Sequence, residues 1–318
     1  MRILVTGSAG HLGEALMRTL RDSEHEPIGI DVLASPFTDI VGSIVDREAV
    51  RRTMRGIDAV LHAATLHKPH VATHRSQDFV DVNVTGTLNL LEEATHAHVR
   101  AFVFTSTTSA FGRALTPPPG EPAAWLTEDI APVPKNIYGV TKVAAENLCE
   151  LAQRNTGMPC LILRTSRFFP EDDDLPAVRD ARADANNKTN EFLYRRVDIE
   201  DVVDAHLLAI EKAPTLGFAR YIVSATSPFT RADLAELRHD APAVVKRHVP
   251  AYAAEYARRG WTMFESIDRV YDNAKARAEL GWRPRHDFAS VVERLGSSDD
   301  VRSPLAQAVG SKGYHRTA

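Results

Sequence analysis

A doubly wound α/β fold, with a parallel sheet between two layers of helix and a smaller C-terminal substrate-binding domain, is predicted by three features of the chain. The apolar run Ile3-Leu4-Val5 breaks into a turn carrying Gly7, Gly10 and Gly13, then becomes helix-patterned from Glu14 to Leu20. Strand and helix patterns keep alternating as far as Arg164, as a parallel sheet with crossover helices requires. Beyond Arg164 that rhythm blurs and the chain changes character. Residues 1–168 are therefore read as one α/β domain to which some later elements return. Residues 169–295 are read as mainly the second domain, and 296–318 as a flexible tail.

Each glycine of the first turn has a physical role. One allows the tight turn, one lets the backbone approach a pyrophosphate, and one lets helix pack closely on strand. His11 and Leu12 open the helix, where unpaired N–H groups and the positive end of the dipole face an anion. The second strand, Pro27-Ile28-Gly29-Ile30-Asp31, ends in a carboxylate about 20 residues on, where it can accept from an adenosine ribose hydroxyl. An ordinary βα turn and a loop-capping Asp would explain each feature separately, but their pairing points to a Rossmann-type dinucleotide site. Asp31 favours NAD, because its charge repels a 2′-phosphate.

The other elements follow in order. Thr38 to Gly42 reads as a short third strand, and Asp46 caps a helix running to Met54. Ala59 to Ala64 is the fourth strand, ending in small residues. Phe79 to Ala97 is a long helix with Val80, Val84, Leu88, Leu91 and Ala94 on one face. Arg100 to Ser106 is the fifth strand; a proline-rich loop leads from it to a helix from about Tyr138 to Thr156, and Cys160 to Arg164 is the sixth strand. Glu171 to Glu191 is polar, has no apolar rhythm, and reads as an irregular lid or substrate loop. Asp198 to Lys212 is helical, Tyr221 to Val223 a strand, and Arg231 to Leu237 helical.

Tyr138-Gly139-Val140-Thr141-Lys142 carries the chemistry. Its i, i+4 spacing puts phenol and ammonium on one helix face, with Cβ atoms about 5–6 Å apart. A free phenol is a poor base at neutral pH, and a neighbouring ammonium together with an oxidised nicotinamide stabilises the phenolate. The cluster Thr105-Ser106-Thr107-Thr108-Ser109 stands at the carboxyl end of the fifth strand, where doubly wound sheets open their ligand crevice. A hydroxyl there can hold a substrate oxygen while Tyr138 moves its proton.

On these residues the chain resembles the extended short-chain dehydrogenase/reductase family, the group containing sugar-nucleotide epimerases and dehydratases. The resemblance runs from Met1 to about Leu295. It rests on Thr6 to Gly13, His62-Ala63-Ala64, Asn83 to Thr87, Tyr138 to Lys142, and Asp272 to Arg277 leading into Leu280-Gly281-Trp282-Arg283-Pro284. It implies a catalytic set of Tyr138, Lys142 and a hydroxyl falling on Thr107, with Thr108 the nearest rival. It further implies that Lys142 holds the nicotinamide ribose and that Asp31, Ser43, Ile44, Ala63, Ala64 and Asn83 contact the cofactor. Ser43 stands where the family more usually has Asp, and Thr105 is counted among the cofactor contacts. The dehydratases' Asp-Glu pair after the catalytic Thr is replaced by Thr108 and Ser109, which argues against dehydration. Arg167 occupies the place of the Asn that helps hold a nucleotide diphosphate. It either grips a substrate carboxylate or phosphate, as Thr108 touches the substrate, or pairs with the acidic run Glu171-Asp172-Asp173-Asp174. The family's phosphate-binding Arg is not where expected, and Arg258 and Arg259 lie further back. Pro170-Glu171 is similar to some uronate dehydrogenases.

The expected activity is NAD-dependent hydride transfer at a secondary hydroxyl of a sugar or sugar-nucleotide, as in a 4-epimerase. The alternatives are a dehydrogenase of a uronate or similar alcohol, and a non-catalytic dinucleotide-binding redox sensor; sensors of that kind usually lack the Tyr or Lys that this chain keeps. A net charge of −4 gives no nucleic-acid or membrane footprint, and 44% hydrophobic with 25% charged residues is an ordinary globular composition. Cys149 and Cys160 read as small buried hydrophobes, which makes a reducing cytoplasm the expected compartment. His67, His70 and His74 could share a helical face, but Pro69 interrupts them and no cysteine is near, so they read as a polar substrate-side loop rather than a zinc site. The resemblance also implies a homodimer joined through the helices Phe79 to Ala97 and Tyr138 to Thr156, and both carry apolar stripes that suit it.

Overall fold

The computed structural model describes residues 1–173 and 176–313. Asp174 of the acidic run and the last five residues of the expected tail lie outside the described residues. The strands are β1 (Arg2–Thr6), β2 (Glu26–Asp31), β3 (Ile40–Val41), β4 (Ala59–His62), β5 (Ala101–Thr107), β6 (Ala124–Leu126), β7 (Cys160–Thr165), β8 (Phe218–Val223) and β9 (Arg269–Tyr271). The helices are α1 (His11–Arg21), α2 (Arg47–Thr53), α3 (Ser76–Val80), α4 (Gly86–His96), α5 (Ile137–Thr156), α6 (Pro176–Ala181), α7 (Asp184–Glu191), α8 (Ile199–Leu216), α9 (Ala241–His248), α10 (Tyr252–Arg259), α11 (Ala274–Glu279), α12 (Phe288–Leu295) and α13 (Pro304–Val309).

Seven parallel strands form the main sheet in the order β3-β2-β1-β4-β5-β7-β8. Strands buried on both faces read as continuous apolar runs, and Ile3, Leu4, Val5, Val60, Leu61, Phe102 and Val103 are all sealed from solvent. One face is covered by α1 and α8 through Leu16, Met17, Leu20, Val202 and Val203. The other is covered by α4 and α5 through Leu90, Leu91, Ala94, Ala145 and Cys149. The strand order runs outward in both directions from β1 and β4, so the crevice opens at their carboxyl ends. A third core, built mainly from residues after 192, gathers Leu193, Leu237, Val244, Val245, Tyr256, Val270 and Phe288 beside that crevice. The small parallel pair β6–β9 joins this second body to the loop after β5. Trp282 is fully buried and donates its indole N–H to the Asp201 carbonyl at 2.9 Å.

Several regions depart from the sequence reading. The helix expected over Arg231 to Leu237 forms only two short 3₁₀ turns, at Arg231–Asp233 and Glu236–Arg238. The long helix after β4 is interrupted by a π turn at Asp81–Thr85, between α3 and α4. The polar segment expected to be an irregular lid forms α6 and α7. The residues that α7 buries are polar rather than hydrocarbon: Asn186 and Asn190 donate to the Thr262 carbonyl at 3.1 and 3.0 Å, so no apolar rhythm announces the helix. The expected flexible tail instead folds back onto α1 and α8. Ser303 caps α13 and donates to Asp198 at 2.6 Å, and Val309 is buried. Cys149 and Cys160 are free and buried, and among the described residues no helix is long and apolar enough to cross a membrane.

Candidate active site

The site starts at the glycine turn after β1. Gly7 has φ +75°, and a Cβ there would lie 2.7 Å from the Ala64 nitrogen. A Cβ at Gly13 would lie 1.9 Å from the Gly7 carbonyl oxygen, so neither position admits a side chain. Gly10 caps α1 in extended conformation, and His11 and Leu12 form its first, buried turn. That cradle of backbone against a helix N-terminus fits a dinucleotide pyrophosphate. Asp31 lies at its rim, accepting from Ala9 N at 3.0 Å and Leu33 N at 2.9 Å. Ser43 Oγ accepts from Val45 N at 3.2 Å, and Ile44 is buried against Gly86. Ala63 and Ala64 donate their N–H groups to the carbonyl and hydroxyl of Thr6.

A directed hydrogen-bond chain braces this cradle. Thr87 donates to the Asn83 carbonyl at 2.7 Å, so its oxygen accepts from His62 Nε2–H at 2.9 Å. His62 Nδ1 is then the acceptor for the Thr6 hydroxyl at 2.7 Å. Burial, then the nearby Lys142 charge, hold His62 well below its ordinary pKa, which keeps it neutral. The Asn83 amide, expected to touch cofactor, is taken up by the chain. It accepts from Thr65 Oγ1 and Leu66 N, and donates to the Leu66 carbonyl and to Thr141 Oγ1. It thereby ties the loop after β4 to α5.

At the end of β5 the expected chemical groups come together. Asn136 caps α5 by accepting from Gly139 N at 3.0 Å, which sets Tyr138 in the first turn. Thr107 hydrogen-bonds the Tyr138 phenol, while its oxygen accepts from Ser109 N at 3.1 Å. Burial pushes Tyr138 up to about 12, against the opposing effect of that bond. Lys142 donates to the Thr105 carbonyl at 2.6 Å and sits 4.1 Å from the centre of the Phe104 ring. Burial brings Lys142 down to about 7, with the Glu146 carboxylate acting in the opposite direction. Thr108 is buried in the short turn that follows.

The Thr105 side chain, expected at the cofactor, turns instead to His206 on α8. His206 Nδ1 donates to the Val202 carbonyl at 2.8 Å, so Nε2 accepts from the Thr105 hydroxyl at 2.8 Å. On the opposite face Ser106 donates to Glu146 at 2.6 Å, and Arg164 binds the same carboxylate at 2.8 Å. Glu146 and His206 thus pin the strand from which Thr107 projects, and the sequence reading passed over both. Glu146 continues the Tyr138–Lys142 spacing by one further turn, a signal that was present in the chain.

Beyond β7 the picture differs. Arg167, one alternative for which was a substrate clamp, binds Asp173 at 2.8 Å and the carbonyls of Glu171 and Asp172 at 2.8 Å each. The pairing with the acidic run is the arrangement found. Glu191, Arg195 and Arg196 extend the same network. His67, His70 and His74 stack in sequence with ring centres 4.5 and 5.0 Å apart. Among the described residues no group of three His, Cys, Asp or Glu is suited to a metal ion.

A glycine cradle of this kind, with a Tyr and a Lys one helical turn apart at the crevice, defines an NAD-dependent enzyme of the extended short-chain dehydrogenase/reductase type. The chain belongs to the NAD dependent epimerase/dehydratase family, which matches it over residues 3–218. It is 26% identical to a UDP-glucose 4-epimerase of Lactobacillus helveticus, over 92% of this chain and 94% of that protein. In fold it is similar to the UDP-Glc/GlcNAc 4-epimerase of Campylobacter jejuni, with TM-score 0.67, 18% identity, and 92% and 97% of the two chains covered. It is similar also to a short-chain dehydrogenase/reductase superfamily protein of Agrobacterium tumefaciens with bound NAD, with TM-score 0.66, 24% identity, and 93% and 96% covered.

Proposed function

We propose that the protein is a sugar 4-epimerase acting on a nucleotide-linked sugar, with Thr107, Tyr138 and Lys142 as its catalytic residues. The observation that carries this reading is the buried set at the end of β5: Thr107 on the Tyr138 phenol, and Lys142 held by the Thr105 carbonyl. Thr107 Oγ1 and Tyr138 Oη would share the sugar hydroxyl, and Tyr138 would take its proton. Because burial disfavours the phenolate, the Lys142 charge on the same helix face matters most as that proton moves. NAD held in the cradle would supply the hydride acceptor. Tyr138 would give the proton back to the oxygen of the turned sugar, so that the inversion ends with no net redox change. Relatives across nearly the whole length are UDP-sugar 4-epimerases, which supports this choice of reaction.

UDP-glucose incubated with the enzyme should yield UDP-galactose without accumulation of free NADH. Steady NADH formation from a free uronate would instead favour the dehydrogenase alternative, which the Pro170-Glu171 pair keeps in view. In this reading residues 1–168 serve the cofactor and 169–295 mainly the substrate. Leu88 on α4 and Val140 and Leu151 on α5 are exposed on two adjacent helices, whereas Leu91 and Ala94 are used in the core. We assign that exposed pair of helices to a C2 homodimer. Light scattering at micromolar concentration should give twice the chain mass, and a single-chain mass would refute it.

A further inference from the structure

After α13 the described chain continues through residues 310–313. It returns to the first turn of α1, the end of the cofactor cradle. There Glu171, from the loop after β7, accepts through one carboxylate oxygen from four donors. They are His11 Nε2 at 3.1 Å, Ser311 Oγ at 2.8 Å, Lys312 N at 2.8 Å and Gly313 N at 3.2 Å. Lys312 also pairs through its ammonium with Glu14, one turn along α1. Three distant parts of the chain therefore meet at the helix end that faces the pyrophosphate: the glycine motif, the post-β7 loop and residues 311–313.

We infer that Glu171, Ser311 and Lys312 form a latch that closes the cofactor crevice and retains NAD between turnovers. This inference deepens the epimerase reading and rests on it, because an epimerase needs a resident cofactor and a dehydrogenase must exchange one. Two carboxylates, Glu14 and Glu171, stand near the place where a pyrophosphate adds two more negative charges. In a site shielded from water such repulsion would be severe unless neutralised. The latch contributes to that neutralisation. Lys312 joins Arg18 in answering Glu14, while His11 and the donors of residues 311–313 answer Glu171, whose acidity is strengthened to about 2 despite its burial. The same bonds lay residues 311–313 against the cradle, so dissociation of the dinucleotide requires the latch to open.

The test measures NAD retention, not activity. Wild type, Glu171→Gln and Lys312→Ala are loaded with NAD and passed through gel filtration, and the NAD kept per chain is counted over time. Wild type should retain its NAD, and both variants should lose it at least tenfold faster. Lys312→Ala removes a partly exposed side chain, so it keeps the test decisive even if Glu171→Gln folds poorly. Release at the wild-type rate from a folded Lys312→Ala overturns the latch. Interconversion of UDP-sugars alongside that result would leave the epimerase reading standing. Slow release in wild type with NADH accumulating from sugar would overturn the epimerase reading and leave the latch.

Discussion

The floor of the crevice and its far wall are built on opposite plans. At the ends of β1, β4 and β5 the bracing hydrogen bonds are neutral, through Thr6, His62, Thr87 and Asn83 on one side and Thr105 and His206 on the other, with Lys142 and the Glu146–Arg164 pair as the charged exceptions. Beyond β7 they are charged, with Arg167, Arg195 and Arg196 gathered around Asp173 and Glu191. Neutral hydrogen bonds have fixed directions and keep their geometry as charge shifts nearby, which suits a place where a proton and a hydride move. Ion pairs cancel one another, so a wall made from them carries little unspent charge to offer a substrate. The difference teaches that the arginines of the wall are engaged with its own carboxylates.

The sharpest break in this comparison is Tyr138→Phe on the floor. It should lower kcat by about 10³, within the span expected for a lost acid–base group, while NAD affinity measured by titration stays at the wild-type value. Unchanged turnover would remove Tyr138 from its role. On the wall, Glu191→Leu should act on stability instead. Burial raises the Glu191 pKa but the charges of Arg196, Arg195 and Arg167 outweigh it, so the net direction is down. Removing that carboxylate leaves the buried Arg196 without its ion-pair partner and leaves Arg195 and Arg167 to share Asp173, and should cost about 3–5 kcal/mol in denaturant unfolding. A loss below about 1 kcal/mol would show that the network is solvated after all.

Acidification separates the two regions next. His206 is held at about 4 by burial, so between the ordinary value near 6.5 and about 4 the unfolded chain binds a proton that the folded chain does not. Stability is therefore whole above about 6.5 and falls by about 1.4 kcal/mol per pH unit below it. Glu171 is depressed to about 2, so its contribution persists until the pH drops below about 4. Unfolding curves at pH 7.5, 6 and 5 should show the floor failing first, and His206→Gln should flatten the slope. The smallest effect is expected at the cradle's rim. Asp31→Asn should narrow the preference for NAD over NADP by about tenfold, through loss of charge repulsion; equal preference in the wild type would refute the assignment.

How much of this was legible in the chain follows the same division. The cradle, Tyr138, Lys142 and the order of strands are local patterns: glycines at fixed offsets, an i, i+4 pair, apolar runs of strand length. Each can be read without knowing what folds against it. The partners that pin β5 were hidden, because Thr105 meets His206 across 101 residues and Ser106 meets Glu146 across 40. Helix α7 was hidden for another reason: it buries Asn and Thr, and periodicity scored on hydrocarbons cannot register them. Arg167 offered two uses of equal standing. Only the position of Asp173 and of the turn carbonyls shows that the inward one is taken.

The small sheet has a consequence for the birth of the protein. Strand β6 ends at Leu126, but its partner β9 begins at Arg269, and β8 closes the main sheet only at Phe218. A nascent chain leaves the ribosome from its N-terminus, so Ala124–Leu126 emerges long before the residues that will cover its edge. Pairings so distant along the chain are slow to find, and an unpaired strand edge invites other chains. Translation through residues 127–268 is thus the interval in which the edge of β6 has no β9 to pair with.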